Sequence, residues 1–189
     1  MAQSAISLCS KALIKLGARP IVSFNENTAE AEVASQLYTS VRDAMLSAYP
    51  WRFATSQSEL ARLAENPKAD YAYSYQLPND FLRVLSAGAS SSGHGLNYRI
   101  CEKTLQCNAS NVMLTYIFDP KEENYPPFFD ALLVAQLAAE FCLPLTESAS
   151  RCEFLVKQAQ KSFADAKLID AQQDIPNAIT DFPLIGVRL

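Results

Sequence analysis

Apolar positions at the start of the chain step by three or four. Ile6, Cys9, Leu13 and Leu16 share one helical face, which Ser4 can cap and which Gly17, followed closely by Pro20, ends. A second helix opens at Asn27 with Glu30 as its capping-box partner. It carries Val33, Leu37, Val41 and Met45 at strict four-residue steps as its inward stripe. Pro50 stops it, and residues 51–55 read as an extended segment whose two large rings, Trp51 and Phe53, pack back on the helical core as anchors.

The period then changes from helical to alternating. Tyr71, Tyr73 and Tyr75 alternate with small residues, Leu77-Pro78-Asn79-Asp80 makes a turn, and residues 81–85 form the next strand. Gly88 to Gly95 is a Ser and Gly loop. Residues 97–102, 104–107 and 112–118 read as further short strands around an Asn108-Ala109-Ser110-Asn111 turn. The helical pattern returns over Phe128 to Leu143, with thirteen apolar residues in sixteen and only Asp130, Gln136 and Glu140 as exceptions. Such a helix belongs at the centre of a bundle, and Pro144 bounds it. It is shorter than the roughly 20 residues a bilayer asks for, so it is expected to be a core helix and no membrane partner is expected. A last helix from about Glu147 to Ala171 carries Cys152, Leu155, Val156, Ala159, Phe163, Ala166 and Ile169. From Asp174 onward there is no period, yet Ile175, Ile179, Phe182, Leu184, Ile185, Val187 and Leu189 are apolar, and such a segment needs a partner surface.

The fold class expected is therefore α+β: a helical bundle with an inserted small antiparallel sheet and an extended C-terminal arm. The segments are residues 1–56 for the first helices, 57–125 for the β region, 126–172 for the last helices and 173–189 for the arm.

Charge and rare residues narrow the function. Sixteen Lys and Arg against 20 Asp and Glu give a net charge of -4, which disfavours a surface built to hold nucleic acid by its phosphates. The five cysteines make neither a C-x-x-C pair nor an even framework, so no metal site, disulfide set or cofactor is expected and a reducing place of synthesis fits. The N-terminus lacks the pattern of a signal peptide. His94 is the only histidine and lies in a glycine loop, a poor place for a general base. G-x-S-x-G, P-loop and G-x-G-x-x-G patterns are absent. Asp119, Glu122 and Glu123 form the densest acidic cluster and read as a solvated loop. A base-stacking role for the tyrosines is disfavoured because no basic residue lies between Tyr71 and Leu82. Arg19, Arg42, Arg52 and Arg62 read as scattered surface or intersubunit charges.

One long stretch has a family look. Tyr49-Pro50-Trp51-Arg52-Phe53-Ala54, then Leu60-Ala61, then residues 71–84, with Tyr71, Tyr73, Tyr75, Leu77-Pro78, Asp80 and Leu82-Arg83-Val84, resembles the signature of tail tubular protein A. That family comprises the head-to-tail adaptors, or gatekeepers, of T7-like short-tailed phages and related prophages. The flanking helices and the acidic loop agree with it, so the resemblance covers nearly the whole chain.

The resemblance implies a non-enzymatic virion protein at the head-tail interface, made in the host cytoplasm. It implies a ring of about twelve copies below the portal protein that lets genomic DNA pass without specific binding and presents a platform for a tail nozzle or tail-tube protein. The arm residues from Ile175 to Leu189 are the portal contact expected. Ser91, His94, Asn97, Asn108 and Asn111 are the expected contacts to neighbouring subunits or the tail. The competing expectation is a small bacterial helical binding domain or enzyme-associated subunit, with Cys101, Cys107 or His94 lining a small-molecule pocket.

Overall fold

The computed structural model describes residues 4–89 and 93–173. Their order is α1 (Ala5–Lys15), α2 (Ala29–Ala48), a 3-10 turn (Arg52–Ala54), β1 (Thr55–Glu59), β2 (Tyr73–Gln76), β3 (Phe81–Gly88), β4 (Tyr98–Cys101), β5 (Thr104–Cys107), β6 (Met113–Phe118), a second 3-10 turn (Glu122–Asn124), α3 (Pro127–Thr146) and α4 (Ala149–Ala171). This is the expected α+β class, with the strands inserted between two pairs of helices. There are two small antiparallel sheets, however, where one was expected.

Helix α1 forms as its sequence dictates. Ser4 Oγ accepts from the Ser7 amide, and at the other end Gly17 takes φ 71°. The Ala18 amide returns to the Leu13 carbonyl and the Gly17 amide to the Ile14 carbonyl, a Schellman closure that only a residue tolerant of left-handed backbone completes without strain. Arg151 of α4 donates to the Leu16 carbonyl at 2.8 Å, tying the last helix to the end of the first.

Helix α2 starts one residue later than expected. Thr28, not Asn27, is the cap, its Oγ1 accepting from the Ala31 amide. Glu30 is therefore the second helical residue and stands outside capping-box register. The buried line is Ala31, Ala34, Tyr38 and Leu46, while Val33, Leu37, Val41 and Met45 are half-buried beside it. A strict four-residue step advances about 40° per step around a helix, so that stripe winds off the contact line, which small Ala residues fill instead.

Helix α3 is the centre of the bundle and touches α1, α2 and α4. Phe129, Leu132, Leu133, Leu137, Ala138, Phe141 and Cys142 have no exposed surface. By length and composition α3 could cross a membrane, but more than half of it is buried against its neighbours here. Pro127 occupies its first turn, where a missing N–H costs nothing. Pro144 does not end the helix: it sits in the last turn, where Thr146 Oγ1 donates to the Cys142 carbonyl at 2.7 Å. In α4 the inward residues are Leu155, Ala159, Ala166 and Asp170, whereas Val156 and Ile169, expected inside, are 43% and 44% exposed. The α3 contact is a narrow line and those two lie on its flanks.

Residues 52–54 turn as a 3-10 element where extended chain was expected, and strand begins only at Thr55. One sheet runs β1-β6-β3 and the other β2-β5-β4. Leu60, Tyr75, Leu77, Leu105, Cys107, Val112, Leu114 and Tyr116 form a second core between them, separate from the helical one. Strand β6 serves both, with Leu114 and Tyr116 in the sheet core and Ile117 in the bundle core. Tyr71 lies outside any strand.

Candidate functional site

The expected site residues fall into three groups. The first is an aromatic clasp. Trp51 has no exposed surface, and its ring lies 4.9 Å from Tyr49, 5.3 Å from Phe129, 5.9 Å from Phe163, 6.2 Å from Phe53 and 6.3 Å from Phe128, mostly edge to face. Its Nε1 donates to the Met45 carbonyl at 2.9 Å. Phe53 closes on Phe129 at 4.9 Å and on Tyr125 at 6.0 Å. The clasp therefore joins the end of α2, the entry to β1, the start of α3 and the middle of α4. Trp51 is fully buried in this clasp and Phe53 half-buried beside it.

Around the clasp, the segment bearing the family look fastens the bundle to the sheets. Arg83 of β3 donates to the Ser47 carbonyl near the end of α2 at 2.8 Å. The Asp80 carbonyl accepts from the Asp119 amide at 2.9 Å, and its carboxylate from Tyr116 Oη at 3.3 Å. Tyr75 Oη donates to the Ala109 carbonyl at 2.6 Å. The Arg52 amide donates to both oxygens of Asp170, a wholly buried carboxylate on α4. Burial raises the Asp170 pKa above the ordinary carboxylate range, with the Arg52 amide and guanidinium opposing it.

Arg42 is not a scattered surface charge, nor are Asp119 and Glu122 a solvated loop. The Arg42 guanidinium lies 2.9 Å from Asp43, 3.0 Å from Asp119 and 3.6 Å from Glu122, and Tyr38 Oη donates to Glu122 at 3.1 Å. The network pins the chain between β6 and α3 against α2, while Glu123 stays exposed. Sequence reading missed it because its halves lie 77 residues apart. Desolvation raises Asp119 despite Arg42, and raises the Tyr125 hydroxyl to the same effect. No three His, Cys, Asp or Glu side chains among the described residues form a group that could hold a metal.

The second group is the pair of loops. Gly88 pairs with Met113, so the connection leaving β3 and the turn entering β6 emerge together at the end of the first sheet remote from α2. His94, Asn97, Asn108 and Asn111 are exposed there, and Ser91 lies outside the described residues. Asn108 and the neighbouring Gly93 are held by the sheets. Asn108 Oδ1 accepts from the Ala72 amide at 2.9 Å, and the Gly93 carbonyl accepts from Ser86 Oγ at 2.7 Å. A Cβ at Gly93 would stand 2.8 Å from both Gln57 Nε2 and Thr115 Oγ1, so this turn sits flat on the sheet.

The tyrosines gain basic neighbours that the linear sequence hides. Arg62 stacks 3.8 Å over Tyr73, and Arg99, paired with Asp70 at 2.9 Å, lies 5.5 Å over Tyr71. Cys101 and Cys107 stand at opposite ends of the β4–β5 hairpin, paired with Thr104 and Tyr98. Cys107 is moreover buried in the sheet core.

The third group, from Ile175 to Leu189, lies outside the described residues. No protein-family model matches the sequence, and a search of curated proteins finds no match.

Proposed function

We propose that this chain is a virion structural protein, a head-to-tail adaptor that forms a ring of about twelve copies below the portal and offers the platform on which the tail is built. The observation that carries the reading is what the adaptor-like segment does: Trp51 and Phe53 lock the helical body, Tyr75 and Asp80 hold the β body together, and Arg83 ties the β body to the end of α2. A ring component under the pressure of packaged DNA needs two stiff parts that move as one, and these side chains are spent on that. The paired loops at the far end of the first sheet suit a surface that varies with its partner, here a neighbouring subunit or the tail nozzle or tail tube. The arm from Ile175 to Leu189 is the proposed portal contact. DNA passes through the ring without being gripped, in keeping with a chain of net charge -4.

The test is assembly. Purified protein mixed with the portal protein of the same genome should give rings stacked on portal in negative stain. A compact monomer that leaves portal bare, and is instead stabilised by a small metabolite, would refute the reading.

A further inference from the structure

Leu143 near the end of α3 and Ala149, Cys152 and Val156 of α4 floor an open groove of about 430 Å³, with Glu153 and Lys157 on its rim. Leu143 is 59% exposed there and Val156 43%. Nothing among the described residues covers them.

We propose that this groove is the seat of the chain's own C-terminal segment, with Phe182, Leu184 and Ile185 on its floor. Helix α4 leads directly into that segment, and the distances fit. From Ala171 back to Val156 along the helix is about 22 Å, and back to Cys152 about 29 Å, at roughly 1.5 Å per residue. Extended chain from Asp174 reaches about 26 to 29 Å at Phe182 and about 36 to 40 Å at Ile185, so Phe182 arrives beside Val156 only when the chain turns back directly after α4, whereas Leu184 and Ile185 reach the groove with a few residues to spare for the turn. Phe182-Pro183-Leu184-Ile185 is the densest apolar run beyond α4, and Pro183 brings no N–H donor to bury. Asp181 precedes it, opposite in sign to Lys157 on the rim. A tether this short gives the segment an effective concentration near the millimolar range, so its own groove outcompetes another copy's at ordinary concentrations. The proposal does not depend on the adaptor reading. Where that reading holds, the portal draws the segment out of this seat.

Cys152 in the groove is a built-in reporter, and exposed Cys101 is its internal control. The experiment is maleimide labelling of the full-length chain, followed residue by residue by mass spectrometry. It compares wild type with Phe182→Asp/Ile185→Asp, taking continued silence of buried Cys107 as the sign of an intact fold. Cys152 should label about tenfold faster in the variant, with Cys101 unchanged and the wild-type rate independent of protein concentration. Equal Cys152 rates in the two proteins would overturn the proposal. So would wild-type protection that grows with concentration, because the seat would then hold another molecule's segment. If the variant's Cys107 reacts, Ile185→Cys in the full-length chain decides. A short bis-maleimide should join position 185 to Cys152 within one chain, and joining only between chains, or not at all, would refute the seat.

Discussion

Trp51→Ala should be the most damaging single substitution in the bundle. The ring has no exposed surface and touches five other rings drawn from both sides of the fold. Removing a buried aromatic of this size costs about 3 to 5 kcal/mol through lost transfer energy and the cavity left behind. The Met45 carbonyl also loses its donor, which adds about 1 kcal/mol unless water enters the cavity. Against a total of about 5 to 15 kcal/mol, that is about a quarter of the stability or more. At roughly 2 to 4 °C per kcal/mol for a chain of this length, the melting temperature should fall by at least about 6 to 8 °C. Trp51→Phe keeps most of the ring and should lose about half as much. Arg99→Ala, which breaks an exposed pair with Asp70, should cost under about 1 kcal/mol and serves as the control. The assay is thermal and urea unfolding of the three variants beside wild type. A Trp51→Ala shift no larger than that of Arg99→Ala would refute the clasp.

Arg42→Met should cost about 1 to 3 kcal/mol in urea unfolding, less than a fully buried pair because its acidic partners are about a third exposed, whereas Glu123→Gln should be silent. Equal effects would mean the acidic stretch is a solvated loop after all. Asp170 carries a raised pKa, so the fold holds its proton more tightly than the unfolded chain does. Its stabilising share is full below the ordinary value near 3.9 and is lost as pH rises through the folded value. Asp170→Asn should therefore gain stability relative to wild type between about pH 4 and pH 7, and a difference that stays flat or falls with pH would contradict the burial argument. Gly93→Ala should destabilise by about 1 to 2 kcal/mol through its clash with Thr115, and Thr115→Ala in the same chain should recover part of that; strictly additive losses would show the contact to be unimportant.

The helices and most strands were legible because their signals are local: Ser4 and Gly17 frame α1, and an almost wholly apolar run could only be the central helix. What failed had non-local causes. The contact line of α2 runs through Ala31 and Ala34 because α3 comes close there, and small residues give no hydrophobic signal of their own. Pro144 stays helical because it falls in a last turn that Thr146 supports. The first strand was missed since Thr55–Glu59 has almost no apolar residue, and β6 alone supplies its ladder. The site was legible in Trp51 and Phe53, whose ring types demand burial. It was illegible in Arg42, Arg62 and Arg99, whose partners are brought together only by the chain's path. Gly93 looked like loop composition, and the flat approach that requires it appears only once β1 and β6 are paired.

The adaptor claim is tested most directly by quantitative mass spectrometry of purified virions of the phage or induced prophage that encodes the chain. The account predicts this protein in the particle at about one copy per portal subunit, retained in tailed particles and depleted from heads that have not yet gained a tail. Its absence from virions, with the protein recovered only as a free species in the lysate, would contradict it.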